Sequence, residues 1–374
     1  MKNMVWEYLQ PVRIRFGNGL IACLSEEIRH LGRHRGLLVT SPSFVYRGVA
    51  GKIKEACNGC LDGTFSNVSP NPDVTECDAC AEQLRAGGYD FVVALGGGSV
   101  IDLAKAAAMI CLTSDSIADY LDTGRVLPEA RLPLIAIPTT AGTGSEITDV
   151  SVLSDHVRRL KVPLKSASLY PVVAIVDPEL TYSLPPHLTA STGFDVLSHA
   201  IEAYWSLHHQ PVCDALAVHA AGLVLRYLKA AFEEPLSAVA REKMAEASVM
   251  AGLAFTLPRT TSVHACSYPL TNLLGIPHGE ACALTLDRFI RLNAAGCERV
   301  EALARLLGYA GSGALADAVV SLKHVTGMRC DLCDFHLSDE QLNELVLGSQ
   351  HPNLRNNPIE ITPDMLRELY VSLR

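Results

Sequence analysis

Four side chains in the second half of the chain have the types and spacing to hold a divalent cation. In "TGFDVLSHAIEAY", Asp195 and His199 stand four residues apart, which sets them on one face of a helix. The stretch "RTTSVHACSYPLTNLLGIPHGEA" carries His264 and His278. One carboxylate and one imidazole make half of a tetrahedral site. Two further imidazoles could complete a borderline set suited to iron(II) or zinc. Taken singly, each histidine reads more readily as a surface or packing residue, because the chain has 13 and chance pairs are expected. His208 and His209 in "SLHHQP" are read as loop residues of this kind.

The first half carries a different chemistry. "FVVALGGGSVIDLAKAAA" reads as a strand, a glycine-rich turn and a helix. Glycines let main-chain N–H groups approach an anion, and the helix start adds a favourable dipole. Gly97, Gly98 and Ser99 are therefore candidates for a dinucleotide pyrophosphate. The spacing is not GxGxxG, so a turn kept for packing is the alternative, and Asp102 could be only a favourable partner of the helix dipole. A second loop, "PTTAGTGSEIT", follows the strand "PLIAI" and offers hydroxyls at Thr139, Thr140, Thr143 and Ser145. Two such loops at the carboxyl ends of neighbouring strands suit a nucleotide in an open α/β sheet.

The elements that must position these groups fall into two blocks. Residues 1–183 alternate strand-like runs ("GLLVT", "FVVAL", "PLIAIPT", "VVAIVD") with helical ones, which predicts a mostly parallel sheet with helices on both faces. From 184 to 374 the apolar spacing is helical almost throughout, so an α/β dinucleotide-binding domain precedes an all-helical metal-binding and substrate domain. That arrangement places the cleft between them.

Composition bounds the partners. A net charge of -9 disfavours nucleic acid and anionic membrane. No uninterrupted apolar run reaches the ~18 residues of a membrane span. The start, "MKNMVWEYLQPVRI", lacks the apolar core of a signal peptide, and the expectation is a cytoplasmic protein. Among the 12 cysteines, Cys57/Cys60, Cys77/Cys80 and Cys330/Cys333 have CxxC spacing. The strand between the first two pairs separates them, which favours reduced thiols over a four-cysteine zinc site.

Across nearly its whole length the chain resembles the iron-containing alcohol dehydrogenases, whose fold is shared with dehydroquinate synthase and glycerol dehydrogenase. The motifs are "RIRFGNG", "VSPNPDV", "ALGGGSVIDLAK", "IPTTAGTGSE", "AIVDPELT", "GFDVLSHAIEAY", "GIPHGEA" and "NNP". The resemblance implies that Asp195, His199, His264 and His278 hold one metal, Fe2+ or else Zn2+. It implies cofactor contacts at Asn71, Gly97, Gly98, Ser99, Thr139, Thr140, Thr148 and Lys161, with NAD(P)H as the dinucleotide. It also implies reduction of a small aldehyde to a primary alcohol, or the reverse, by a homodimer or larger homo-oligomer. The metal would act as a Lewis acid on the carbonyl oxygen while the nicotinamide transfers hydride.

Three positions depart from the family pattern. Tyr268 stands where many members carry a histidine near the reacting oxygen. Its reference pKa of ~10 makes it a weaker proton carrier, so water or the nicotinamide ribose could serve instead, and Tyr268 could simply pack. Ser41 follows "LLVT" where NAD-preferring members often have an aspartate, so NADPH becomes acceptable and the reading leans slightly towards it. Arg259, with Thr260 and Thr261 as further donors and Lys161 or Lys165 as added charge, suits an anionic substrate group unless it pairs with a protein carboxylate. The pattern "RTT..HA.SYPLT...GIPHG.ACALTL" is similar to the phosphonoacetaldehyde reductase branch, which forms 2-hydroxyethylphosphonate. The competing readings are an iron-type enzyme for neutral short-chain alcohols, a dehydroquinate-synthase-like lyase, and a non-enzymatic sensor.

Overall fold

Apolar runs that alternate with helices in the first half pair into a single sheet. The computed structural model describes residues 5–158 and 160–374. Its strands are β1 (Arg13–Phe16), β2 (Gly36–Thr40), β3 (Leu61–Phe65), β4 (Phe91–Gly96), β5 (Leu134–Pro138), β6 (Val150–Asp155), β7 (Leu160–Lys165) and β8 (Val173–Val176). Six of them lie in the order β1-β8-β5-β4-β2-β3, all parallel. Both faces of this sheet are covered, so its central strands are apolar at every position rather than at alternate ones. Leu37, Val39, Val92 and Ala94 face one core; Leu38, Phe91, Val93 and Leu95 face the other.

The helices α1 (Leu24–Leu31), α2 (Pro42–Tyr46) and α3 (Val49–Ala56) close the second of these cores, and α4 (Val74–Gly87) and α5 (Gly98–Ile110) close the first. Cys57 belongs to the core on one face, Cys77 and Cys80 to the core on the other. With the sheet between them, the first two CxxC pairs cannot share an ion.

Two elements escaped the sequence reading. β1 pairs with β8, Arg13 opposite Val173, at the sheet edge. β6 and β7 form a separate antiparallel hairpin with Val150 opposite Lys165. The hairpin's apolar positions are broken by charges and by Pro163, which weakens a strand signal.

The second half is helical: α6 (Pro186–Trp205), α7 (Pro211–Glu233), α8 (Ala238–Phe255), α9 (Ser262–Leu274), α10 (His278–Ala294), α11 (Glu298–Leu306), α12 (Ser312–Thr326), α13 (Asp339–Gly348) and α14 (Pro363–Leu373). The fold is thus an α/β parallel-sheet domain followed by an all-α domain, the expected class. α6 is buried from Phe194 to Trp205 without a break, as a helix at the centre of a bundle must be. A Cβ on Gly193 would meet Leu228 Cδ1 at 2.3 Å, so glycine lets α6 and α7 approach closely. α7 is long and apolar enough to cross a membrane, yet it packs against α6 and α8 through Ala217, Ala220, Ala221, Val224 and Leu228.

Residues 10–140 with 144–181 form one compact unit, and residues 5–9, 141–143 and 182–374 the other. The middle of the loop "PTTAGTGSE" therefore packs with the helices, where a Cβ on Gly142 would lie 2.8 Å from Thr192 Cβ.

Candidate active site and metal centre

Three helices of the second unit converge on one carboxylate. On α6, Asp195, His199 and Glu202 share a face at helical spacing, and all three are buried. α9 brings His264 and Tyr268, and α10 begins at His278. Gly279 fixes how closely α10 can start, because a Cβ there would sit 1.9 Å from the Ser191 carbonyl oxygen. No side chain larger than hydrogen fits, and this is the local reason for the Pro-His-Gly sequence.

Asp195 Oδ1 lies 3.3 Å from His264 Nε2, 3.7 Å from His278 Nε2 and 3.7 Å from His199 Nδ1. The His199 ring stacks between Phe255, at 4.2 Å, and His264, at 4.4 Å. Among the described residues, the donor atoms of Asp195, His264, His278 and Cys282 all fall within 4.8 Å of one another. His199 stands just outside that tightest group.

Glu202 braces the centre from behind. It receives the His264 ring at Nδ1, the Thr261 and Val263 main-chain N–H groups at 3.0 and 2.7 Å, and the Thr261 hydroxyl at 2.7 Å. A carboxylate only accepts, so Nδ1 carries the proton and Nε2 faces Asp195.

The charges are coupled accordingly. Burial alone would raise Asp195, but His199, His264 and His278 hold its carboxyl well below the usual range. Burial pushes His199 down to about 4, against the pull of Asp195, and leaves a neutral imidazole. Burial would also lower His264, but Cys282, Glu202 and Asp195 together raise it. One oxygen, several imidazole nitrogens and a buried His199 Nδ1 without a hydrogen-bond partner make a donor set that fits a divalent cation.

Arg259 follows the end of α8 with φ 64°, the left-handed region that favours glycine, and its N–H donates to the Phe255 carbonyl at 2.8 Å. Thr261 does not serve as the expected donor. The Thr261 hydroxyl is fully buried, donating to Glu202 and accepting from Trp205 Nε1 at 2.8 Å. The Thr260 hydroxyl accepts from Asn353 Nδ2 at 2.7 Å. The Thr261 proton is thus spent within the protein, whereas the Thr260 bond uses only a lone pair and leaves its O–H to donate. Tyr268 lies 6.2 Å from the His278 ring and 4.8 Å from that of His351, and burial pushes its phenol up.

In the α/β unit, the remaining candidates gather at the carboxyl ends of β2, β3, β4 and β5, which flank the point where the chain order reverses. Ser41 follows β2 and caps α2, its hydroxyl 3.0 Å from that of Ser43. Asn71 (φ 57°) donates its N–H to Ser99 Oγ at 3.3 Å and accepts from Lys161 Nζ at 2.8 Å. Gly97 caps α5, with Gly98 and Ser99 opening the helix. A Cβ on Gly97 would come 3.2 Å from Thr140 Cγ2, so the two loops touch. Thr139 continues the ladder by donating to the Gly96 carbonyl. Thr148 is engaged from within, as buried Lys105 Nζ donates to its carbonyl at 2.8 Å and to its hydroxyl at 3.3 Å. Asp102 does more than face the helix dipole: buried, it accepts from the Val152 N–H at 2.9 Å and ties α5 to β6.

Comparison with known proteins follows the same division. The family profile "Iron-containing alcohol dehydrogenase" matches residues 11–178, and "Fe-containing alcohol dehydrogenase family, C-terminal" matches residues 189–373. The chain belongs to the iron-containing alcohol dehydrogenase family. This iron-type dehydrogenase is similar to the sulfoacetaldehyde reductase of Bifidobacterium kashiwanohense, whose structure was determined in complex with NAD+. The two are 56% identical with a TM-score of 0.97 over 99% of each chain. It is also similar to an iron-containing alcohol dehydrogenase of Thermotoga maritima, 33% identical with a TM-score of 0.87 over 99% of each chain. Alcohol dehydrogenase 4 of Schizosaccharomyces pombe is 32% identical over 365 residues, 96% of this chain and 86% of that one.

Three residues that pack at the candidate site were missed in the sequence. Glu202 follows His199 by three residues and Cys282 follows His278 by four, so helical spacing carried both signals. His351, from a distant segment, had no such signal.

Proposed function

We propose that this iron-type dehydrogenase reduces a two-carbon aldehyde bearing a strongly acidic anion, with sulfoacetaldehyde first among candidates and NADH or NADPH as hydride source. Arg259 carries this reading. A non-glycine residue at φ 64° costs on the order of 1 kcal/mol or more. Keeping an arginine there, five residues before His264, is reasonable if its guanidinium has a task at the substrate. The similarity to sulfoacetaldehyde reductase supports the same class of substrate.

A divalent cation held by Asp195, His199, His264 and His278 supplies Lewis acidity to the carbonyl oxygen, and the bound nicotinamide supplies hydride. Glu202 keeps the His264 lone pair turned towards that cation. Arg259 binds the substrate anion and so aligns the carbonyl end. Tyr268 offers an O–H donor beside His278. Gly97, Gly98 and Ser99 present main-chain N–H groups to the pyrophosphate, with Thr139, Thr140 and Thr148 lining the second loop. Asn71 and Lys161, already joined by a hydrogen bond, complete the dinucleotide contacts. Ser41 brings no carboxylate against a 2′-phosphate, so both cofactors are accepted.

Phosphonoacetaldehyde is the second reading, favoured by the "RTT..HA.SYPLT" pattern. A sulfonate carries one negative charge and matches the single guanidinium of Arg259, whereas a phosphonate approaches two. Lys161 gives one N–H to Asn71, and this reading assigns it to the dinucleotide. Steady-state kinetics with sulfoacetaldehyde, phosphonoacetaldehyde and a neutral aldehyde of equal size, each with NADH and NADPH, test the proposal. The expected kcat/KM order is sulfonate, phosphonate, neutral. A neutral aldehyde processed as well as either anion would overturn it.

A further inference from the structure

Cys282 has no part in the proposed reaction, yet among the described residues its sulfur belongs to the cluster of candidate metal donors. It lies four residues after His278 on α10, so both side chains project from one helix face. Its Sγ and the donor atoms of Asp195, His264 and His278 are all within 4.8 Å of one another. The thiol is fully buried and forms no disulfide. In a tetrahedral site, bonds of about 2.3 Å to sulfur and about 2.1 Å to nitrogen set those donors about 3.6 Å apart. The group, within 4.8 Å as it stands, draws in by roughly 1 Å at its widest pair to close on one ion. An independent observation points to a ligand at this place. His199 Nδ1 is buried, has no hydrogen-bond partner and lies 3.7 Å from Asp195 Oδ1. An imidazole lone pair left unsatisfied in the interior is costly unless something binds there.

We propose that Cys282 is a protein donor to the cation of this centre, adding a thiolate to the aspartate and histidines. Ligation exchanges the S–H bond for a sulfur–metal bond and releases the proton to solvent, with no change of oxidation state. A thiolate is a soft ligand, so its presence biases the site towards thiophilic ions such as zinc and cobalt(II) beyond what oxygen and imidazole alone would give. The inference rests on the reading of this cluster as a metal centre, and the experiment below separates the two.

Full-length protein freed of metal with a chelator is titrated anaerobically with cobalt(II), alongside Cys282→Ser and, as a buried-thiol control, Cys266→Ser. The wild type and Cys266→Ser are expected to take up one cobalt per chain and to show a near-ultraviolet thiolate-to-cobalt charge-transfer band. Cys282→Ser is expected to bind cobalt without that band and to lose zinc affinity on the order of 100-fold, the upper end of what removing a supporting group costs. If Cys282→Ser misfolds, the wild-type spectrum still decides. Cobalt uptake by the wild type without the band overturns the Cys282 proposal and leaves the metal centre standing. No cobalt uptake overturns both.

Discussion

Glu202 receives the Nδ1–H of His264 and, at 2.7 Å, the main-chain N–H of Val263, so one carboxylate from α6 sets both the ring and the backbone of α9's first turn. Replacing it with glutamine keeps an acceptor but removes the charge that holds the His264 tautomer. Metal affinity in Glu202→Gln should fall about 10–100-fold, read by competition with a chromophoric chelator. Unchanged affinity would mean that Glu202 only braces the fold.

His264 stands at the middle of the donor set, 3.3 Å from Asp195 Oδ1 and stacked on His199. His264→Ala should lose both metal retention and nearly all turnover. Turnover at the wild-type rate in a metal-free His264→Ala sample would refute its assignment as a ligand.

Arg259 makes two separable predictions, because its side chain and its backbone do different things. Both Arg259→Ala and Arg259→Gly should raise KM for an anionic aldehyde about 10–100-fold, the worth of a hydrogen bond to a charged group, and change KM for a neutral aldehyde far less. The glycine variant should nonetheless be more stable than the alanine variant by about 1 kcal/mol, since only glycine is relaxed at φ 64°. Kinetics and urea denaturation on the pair read the two effects independently. Equal KM changes for charged and neutral aldehydes would remove the anion role.

Asp195 and His199 were legible as a pair because helical spacing puts both on one face, while His264 and His278 were tied to them only by the family resemblance. Glu202 had the same spacing signal, but a glutamate on a helix reads as a solvated charge until burial is known. Thr261 looked like a free donor, and only its tertiary partners Glu202 and Trp205 show that its hydroxyl is spent. The parallel sheet was legible through its continuous apolar strands, whereas the β6–β7 hairpin, interrupted by charges and Pro163, was not. The nearness of His351 to Tyr268 arises from contact across some 80 residues of chain, which no local pattern encodes.

Glu146 gives a stability signature in the α/β unit. Burial raises its carboxyl from an ordinary 4.5 to about 7, with Lys105 opposing in part. Between those values the unfolded chain releases a proton that the folded chain keeps. Stability contributed by this group therefore falls as pH rises from 4.5 to 7, by about 3 kcal/mol in all, and is flat above. Glu146→Gln, which never ionises, should lack this slope. Denaturation midpoints of both proteins at pH 5 and pH 7 test the sign, and parallel profiles would contradict it.

Under the proposed function, hydride transfer to an anionic aldehyde requires a cation held by Asp195, His199, His264 and His278. The most direct measurement titrates iron(II) into chelator-treated enzyme and follows NADH oxidation with sulfoacetaldehyde against bound metal. Activity is expected to rise in proportion to occupancy and to level at one ion per chain. Full activity in the metal-free enzyme would contradict it.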